Sequence, residues 1–340
     1  MLLRPIREEE QDLYNQIVRH PLQSWAWGEF RKKTGLAVER IGIFDNGKIQ
    51  QAFQLTFHPI PVLGGQIGYL PKGFSPDLEQ ISALKELAKK YQATLIKLEP
   101  QVIAESDEGQ KAKKLLTENN AVKGRPLFTR YNFLLDLTPT EAQLFANLKS
   151  KTRYNINLSY KKGVRIFEDS SQQGLQIYLD ILAETTKRQA FYAHSPKYFQ
   201  DMWETLKDTG MMRIFHAQYE NTVLVSWIMF VFNGVLYYPY GASRDLHREV
   251  MASNLMMWEM IKFGLSQNCH QLDMWGALGP NPDKKHPWYG FHRFKAGYGG
   301  ELVEYLGTYD LITAPLPYKV FRVAENLRWK TLRLKAKLGI

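Results

Sequence analysis

The chain has 340 residues, 44% hydrophobic and 23% charged, which is room for two domains with their own cores. No apolar run reaches the about 18 residues of a membrane span, the acids Glu8 to Glu10 argue against a secretory leader, and the single cysteine, Cys269, excludes an internal disulfide and a zinc knuckle. A net charge of +10 favours an anionic partner, whether nucleic acid, a phosphate-bearing substrate or an anionic membrane surface.

Residues 38–44 and 49–57 are β-rich runs joined by Asp45-Asn46-Gly47, which is hairpin chemistry, and residues 66–70 add a strand. Asp77 can cap a helix to about Tyr91, with Leu78, Ile81, Leu84 and Leu87 on one face. A short buried strand, 93–98, follows and ends at Glu99-Pro100. Residues 141–151 and 172–186 read as amphipathic helices. The order hairpin, strand, helix, strand then repeats: 222–231 and 235–240 are joined by Asn233-Gly234, a helix spans about 252–266, and a strand spans 271–275.

The correspondence of GYLPKG…LIKLEP with YYPYGAS…QLDMWG predicts two related α/β modules, residues 1–140 and 141–309, with the boundary near Thr138-Pro139-Thr140. Residues 310–340 form a C-terminal segment expected to pack on the first module. Ala314-Pro315-Leu316-Pro317 breaks the chain before a last helix, 320–338. That helix carries Arg322, Arg328, Lys330, Arg333, Lys335 and Lys337 against one acid, Glu325, so it reads as a solvated basic face or as a contact for phosphate or a membrane surface.

The richest chemistry lies in residues 273–300, DMWGALGPNPDKKHPWYGFHRFKAGYGG. An exposed loop at 281–287 leads into aromatics interleaved with cations, a mixture suited to a polyanion or a ring-bearing ligand. A second basic run, Lys149, Lys151, Arg153, Lys161, Lys162 and Arg165, is interleaved with Tyr154 and Tyr160; it suits a phosphate backbone, and a solvated helix would look the same. Arg188 and Tyr192, four apart, share a helix face where they could grip a diphosphate or sugar. His286, His292 and Asp283 are too loosely spaced to hold a metal, and no metal or cofactor is expected. P-loop, HExxH, GxSxG and GxGxxG patterns are absent, as is a Gln/Arg-x-x-Gly-x-Gly/Ala pyrophosphate loop for acyl-CoA.

HPWYGFHRFKAGYGGELVEYLGTYDL resembles the C-terminal signature of the Fem family (FemA, FemB, FemX), the aminoacyltransferases that build peptidoglycan bridges. Gln23 to Phe30, Gly68 to Gly73, Lys151 to Ile156 and Tyr240 to Ser243 stand at similar order and spacing in that family, so the resemblance spans nearly the whole chain. It implies two N-acyltransferase-like domains and transfer of an amino acid from aminoacyl-tRNA to the side-chain amine of a UDP-linked or lipid-linked muramyl peptide. By the same resemblance Lys295 would steady the transition state, Phe294 would stack on the terminal adenosine, and Glu99 would be a base or a structural acceptor. Arg31 or Lys32, with Arg188, Tyr192, Tyr238 and Tyr240, would bind the precursor, and Lys149, Lys151, Arg153, Lys161 and Lys162 the tRNA. Only Tyr219-Glu220-Asn221 stands where some members insert a helical arm, which resembles the FemX type and implies a monomer. The implied setting is cytoplasmic, with the inner face of the membrane as a further possibility. Two other readings stay open: a non-catalytic tRNA- or RNA-binding module, and an aminoacyl-tRNA-dependent transferase with a protein or small-amine acceptor.

Overall fold

The computed structural model describes residues 2–61, 63–189 and 193–338. In chain order the elements are β1 (Leu2–Pro5), α1 (Gln11–Ile17), α2 (Trp25–Lys33), β2 (Ala37–Asp45), β3 (Lys48–Pro59), β4 (Gln66–Pro71), α3 (Leu78–Lys90), β5 (Ala93–Glu99), α4 (Asp107–Glu118) and β6 (Ala121–Lys123). There follow β7 (Tyr131–Asp136), α5 (Glu141–Asn147), α6 (Ser150–Lys161), β8 (Arg165–Glu168), α7 (Gln172–Gln189), α8 (Pro196–Leu206), β9 (Met212–Tyr219), β10 (Thr222–Phe232) and β11 (Val235–Ser243). The last are α9 (Ala252–Ser266), β12 (Gln271–Ala277), α10 (Tyr289–Lys295), β13 (Glu301–Glu304), β14 (Tyr309–Ile312) and α11 (Pro315–Leu338).

Two seven-stranded mixed sheets result. One runs β1-β2-β3-β4-β5-β14-β6 and the other β8-β9-β10-β11-β12-β7-β13. Position by position they correspond: each has a single parallel pair, β4 with β5 and β11 with β12, and every other pairing is antiparallel. The connections correspond as well, with two helices after the first strand and one helix inside the parallel crossover. This is the duplicated α/β order that the sequence repeat predicts. The strand next to β5 and the strand next to β12 are exchanged between the two halves of the sequence: β7 follows β6 yet pairs with β12 and β13, and β14 follows β13 yet pairs with β5 and β6.

Local chemistry explains the elements. Asn46 and Gly47, then Asn233 and Gly234, both take positive φ in their pairs, as a two-residue hairpin loop with the right-handed strand twist requires. Asp77 caps α3 by accepting the Gln80 N–H at 2.7 Å, and Ile81, Leu84 and Leu87 are buried beneath it. Leu78, grouped with that face by spacing, is exposed in the first turn. The helix expected over 141–151 is broken at Leu148, whose ψ of 149° is extended, and a new helix, α6, carries the basic run. The last helix starts at Pro315 instead of about residue 320, because proline in the first turn of a helix forfeits no hydrogen bond. Glu220-Asn221 closes a tight turn between Tyr219 and Thr222.

The contacts divide the chain into Met1–Val18, Gly35–Leu127 and Leu306–Ile340 (unit 1), and Arg19–Thr34 and Phe128–Tyr305 (unit 2). This differs from the expected boundary at residue 140 in two ways. β7 is hydrogen-bonded between β12 and β13, which moves the start of the second module up to Phe128. Trp27 and Phe30 of α2 are buried with Tyr178, Phe199 and Phe230, and each such side chain contributes roughly 1.5–3 kcal/mol, which places α2 in unit 2.

Unit 1 has a buried ion pair at its centre. Lys97 of β5 and Asp310 of β14 meet at 2.6 Å, with side-chain exposures of 5% and 0%, and the Tyr318 hydroxyl of α11 donates to the same carboxylate at 3.1 Å. Asp310→Ala would leave a buried ammonium without its partner and is expected to destabilise unit 1 by about 3–5 kcal/mol. Urea unfolding, with hydrogen exchange at the β5 amides as the unit-specific reading, checks this; joint replacement by Lys97→Met and Asp310→Leu is expected to recover most of the loss.

Candidate active site

Crevices beyond the carboxyl ends of parallel strands are the usual ligand sites of α/β sheets, so the single parallel pair of each unit is the place to look. In unit 1, β4 and β5 stay paired from Gln66 and Ala93 to Pro71 and Glu99, and the Lys72 N–H then donates to the Glu99 carbonyl at 2.7 Å. That pair is zipped to its end. In unit 2 the parallel register stops at Tyr237 and Asp273, although β11 continues along β10 to Ser243 and β12 along β7 to Ala277. The two strands part as a fork.

Both arms are irregular at the parting point. The β10 register jumps from Ile228–Tyr240 to Phe230–Tyr237, and the β7 register from Asp273–Leu134 to Gly276–Asn132. Trp275, in the second irregularity, has φ +62°, a conformation that costs a bulky residue on the order of 1–3 kcal/mol. Asp273 holds it there: its Oδ1 accepts the Trp275 N–H at 2.7 Å, and Asn132 Nδ2 donates to its two oxygens at 2.8 and 3.1 Å.

Lys295 enters this fork from α10. Phe294 packs against the core at 6.3 Å from Trp227 and 5.3 Å from Tyr298, and His292 lies 5.0 Å from Phe133, so the end of the helix is drawn inward. The chain then turns at Gly297, where a Cβ would lie 2.4 Å from Thr152 Oγ1, and Tyr298 anchors the turn by donating to the Asn254 carbonyl at 3.0 Å. The lysine is 0% exposed. Its Nζ donates to the Gly276 carbonyl of one arm at 2.7 Å, lies 5.5 Å from the Tyr238 ring of the other, and stands 3.8 Å over the half-exposed ring of Phe291. Burial brings its pKa down to about 7, against the opposing pull of Asp273. Tyr238, stacked 4.0 Å from Trp227, is held well above the ordinary phenol range by burial. His292 is held low by burial, with Lys149 and Lys295 acting in the same direction.

The irregularity in β11 sends Tyr238 to this face of the sheet and Tyr237 and Tyr240 to the other. On that second face the Tyr240 ring lies 6.4 Å from the His194 ring, which stacks on Tyr198 at 3.8 Å, and the Arg31 guanidinium lies 5.7 Å from the Tyr198 ring. Burial lowers the His194 pKa, and Arg31 adds to that effect. Lys32 instead pairs with Glu29 at 2.9 Å on the exposed side of α2, so Arg31 is the cation directed at the rings. Arg188 donates to the Ser243 carbonyl at 2.8 Å and fixes the end of β11; Tyr192 lies outside the described residues.

The expected residues therefore fall into separate groups. Lys295 and Tyr238 meet in the fork, while Arg31, Tyr240 and Arg188 belong to the opposite face. Phe294 is partly buried against the core, and the exposed ring of Phe291 lies over the lysine. Lys149, Lys151, Lys161 and Lys162 are exposed at or on α6, whereas Arg153 donates to the carbonyls of Ala146, at 2.7 Å, and Leu148, capping the end of α5. Glu99 is in unit 1, where its carboxylate accepts from the Leu127 N–H at 2.9 Å and from the hydroxyls of Tyr69 and Thr308. Asp273, Asn132 and Tyr198 escape the sequence reading; a carboxylate inside the apolar run Leu272-Asp273-Met274 is the one signal that pointed to them.

Comparison with known proteins adds an independent line. The model of the FemAB family matches residues 124–217 and 207–326. The chain is 24% identical to a lipid II:glycine glycyltransferase of Staphylococcus haemolyticus, over 98% of this chain and 97% of that protein; the alignment runs to 417 positions, so the relative carries sequence that this chain lacks. Among solved structures, FemX superposes with a TM-score of 0.84 at 21% identity, covering 94% of this chain and 99% of that one. A tandem GNAT protein from the clavulanic acid biosynthesis pathway superposes at 0.53 and 10% identity, over 91% and 97%.

The depressed pKa of Lys295 can be checked directly. Nuclear magnetic resonance of the lysine side chains is expected to show one titrating near pH 7 and absent in Lys295→Ala. Asp273→Asn removes the opposing charge and is expected to move that midpoint lower still. A Lys295 midpoint near the ordinary 10.5 would show that the ammonium is solvated.

Proposed function

This chain belongs to the FemAB family, and on that premise we propose that it is an aminoacyltransferase of peptidoglycan bridge formation, taking its amino acid from aminoacyl-tRNA and adding it to the stem-peptide amine of a muramyl precursor. The observation that carries the reading is the buried Lys295 in the forked strand pair of unit 2, beneath the exposed ring of Phe291. The relative in Staphylococcus haemolyticus, a lipid II:glycine glycyltransferase, supports a lipid-linked acceptor, and aminoacyl-tRNA as donor would set the reaction at the cytoplasmic face of the membrane.

In the reaction the acceptor amine attacks the ester carbonyl. A C–N bond forms, the ester C–O bond breaks, and the ribose hydroxyl leaves with the proton the amine gives up. Negative charge builds first on the carbonyl oxygen and then on the departing ribose oxygen. A lysine whose charge is disfavoured by burial gains more from an approaching anion than a solvated one, so Lys295 is suited to meet either oxygen. Asp273 supports its charged form, and Phe291 and Trp288 offer faces for the terminal bases of the tRNA. The exposed cations Lys149, Lys151, Lys161 and Lys162 would meet its phosphates. Arg31, with Tyr198, Tyr240 and His194, would take the diphosphate and sugar of the precursor.

The deciding experiment incubates the protein with charged total tRNA and either UDP-linked or lipid-linked muramyl pentapeptide, and reads the peptide by mass. The expected result is one added aminoacyl residue; tRNA binding without any added mass would make the chain an RNA-binding module. Lys295→Ala is expected to lower kcat by about 10² to 10³ with little change in either KM, and Lys295→Arg to restore only part, because a planar fork does not fit the place of a compact ammonium. Arg31→Ala is expected to raise the KM of the precursor well above any change for aminoacyl-tRNA. For the tRNA, Lys151→Gln and Lys161→Gln are each expected to reduce the slope of log affinity against log salt by about 1, and an unchanged slope would remove α6 from the interface.

A further inference from the structure

The outward face of α11 is built the wrong way round for a helix in water. A surface helix normally turns its apolar stripe to the core and its charges to solvent. Here Tyr318 is buried, Arg322 and Glu325 pair with each other at 3.4 Å, and Arg125 reaches Glu325 at 3.6 Å and lies 5.1 Å from the Trp329 ring. These residues define the packed side of the helix. On the opposite side stand Leu316, Val320, Val323 and Leu327, exposed by 75%, 53%, 61% and 58%. At 100° per residue they fall within about 60° of arc, a continuous apolar stripe about three turns in length.

Exposed Lys319 and Lys330 flank the stripe on one side and exposed Arg328 on the other. The only acid of the helix, Glu325, is turned to the packed side. The sequence continues the spacing of the stripe at Leu334 and Leu338 and adds Arg333, Lys335 and Lys337. No helix among the described residues is long and apolar enough to cross a membrane, so α11 is not a span. An apolar stripe edged by cations matches, in both chemistry and charge, the boundary between anionic headgroups and acyl chains.

We propose that α11 is a membrane-surface helix, which lays Leu316, Val320, Val323 and Leu327 into the headgroup layer of an anionic bilayer while Lys319, Arg328 and Lys330 contact the lipid phosphates. The proposal is independent of the transfer reaction, since it rests on this face alone and is read by partition instead of turnover.

The test is co-sedimentation of the full chain with vesicles of phosphatidylcholine alone and of phosphatidylcholine with about 30% phosphatidylglycerol. Wild type is expected to pellet with the anionic vesicles and to stay in the supernatant when only neutral ones are present. Val320→Asp with Leu327→Asp, two exposed positions whose change leaves the packed face intact, is expected to lower partition at least about tenfold. Lys319→Gln and Lys330→Gln are expected to lower it about fivefold each, more steeply at low salt. Equal partition by wild type and the Asp variant, with thermal melts confirming that both are folded, would overturn the proposal and leave only charge attraction. So would light scattering that shows a wild-type dimer split by the Asp variant without any vesicle binding, since the stripe would then serve a second copy of the chain.

Discussion

A cation without water is the constraint around which unit 2 is arranged. An ammonium taken fully into the interior is costly unless oxygen atoms surround it, and Lys295 has the Gly276 carbonyl, the Phe291 ring and, at longer range, the Asp273 carboxylate. To present that carbonyl, β12 must leave the regular ladder, which is where Trp275 takes its left-handed conformation. The distortion that opens the sheet and the hydrogen bond that seats the lysine are thus two sides of one local arrangement. Unit 1 shows the alternative: with the same strand order, its parallel pair stays closed to the end, and Glu99 at that place is hydrogen-bonded into the fold.

The two faces of the forked sheet divide the chemistry. On one, the proposed function sets a buried amine and the exposed ring of Phe291 against the reacting end of a charged tRNA. On the other, it sets Arg31 and a group of aromatic residues against a phosphorylated sugar. Because the strands part within the sheet itself, the fork gives groups on both faces a common point of approach.

Much of this was legible in the sequence. Asn-Gly pairs marked the hairpins, the repeated strand–helix–strand order marked the duplication, and the aromatic-cationic run marked the segment that supplies Lys295. The failures have physical reasons. β7 is six residues long, and its place is set by partners about 140 residues away in sequence. α2 has the look of the module in which it is written, and only the burial of Trp27 and Phe30 assigns it elsewhere. Arg153 stands in a basic run yet spends its donors on two carbonyls of the preceding helix, a contact that depends on the break at Leu148. Phe294 and Phe291 are indistinguishable by composition; the pitch of α10 decides which ring packs against the core and which is exposed.

The exchanged strands also bear on how the chain is made. β5 has an unpaired edge until β14 arrives, more than 200 residues later in synthesis, whereas every strand of unit 2 is complete by residue 305. The first-begun module is therefore the last to close. While the ribosome completes the second, the first presents an open, apolar sheet edge of the kind that invites wrong pairing. Asp310, which brings the late strand to Lys97, acts as the clasp of the nascent protein, and a chain cut short before it would release a finished second module joined to an unfinished first.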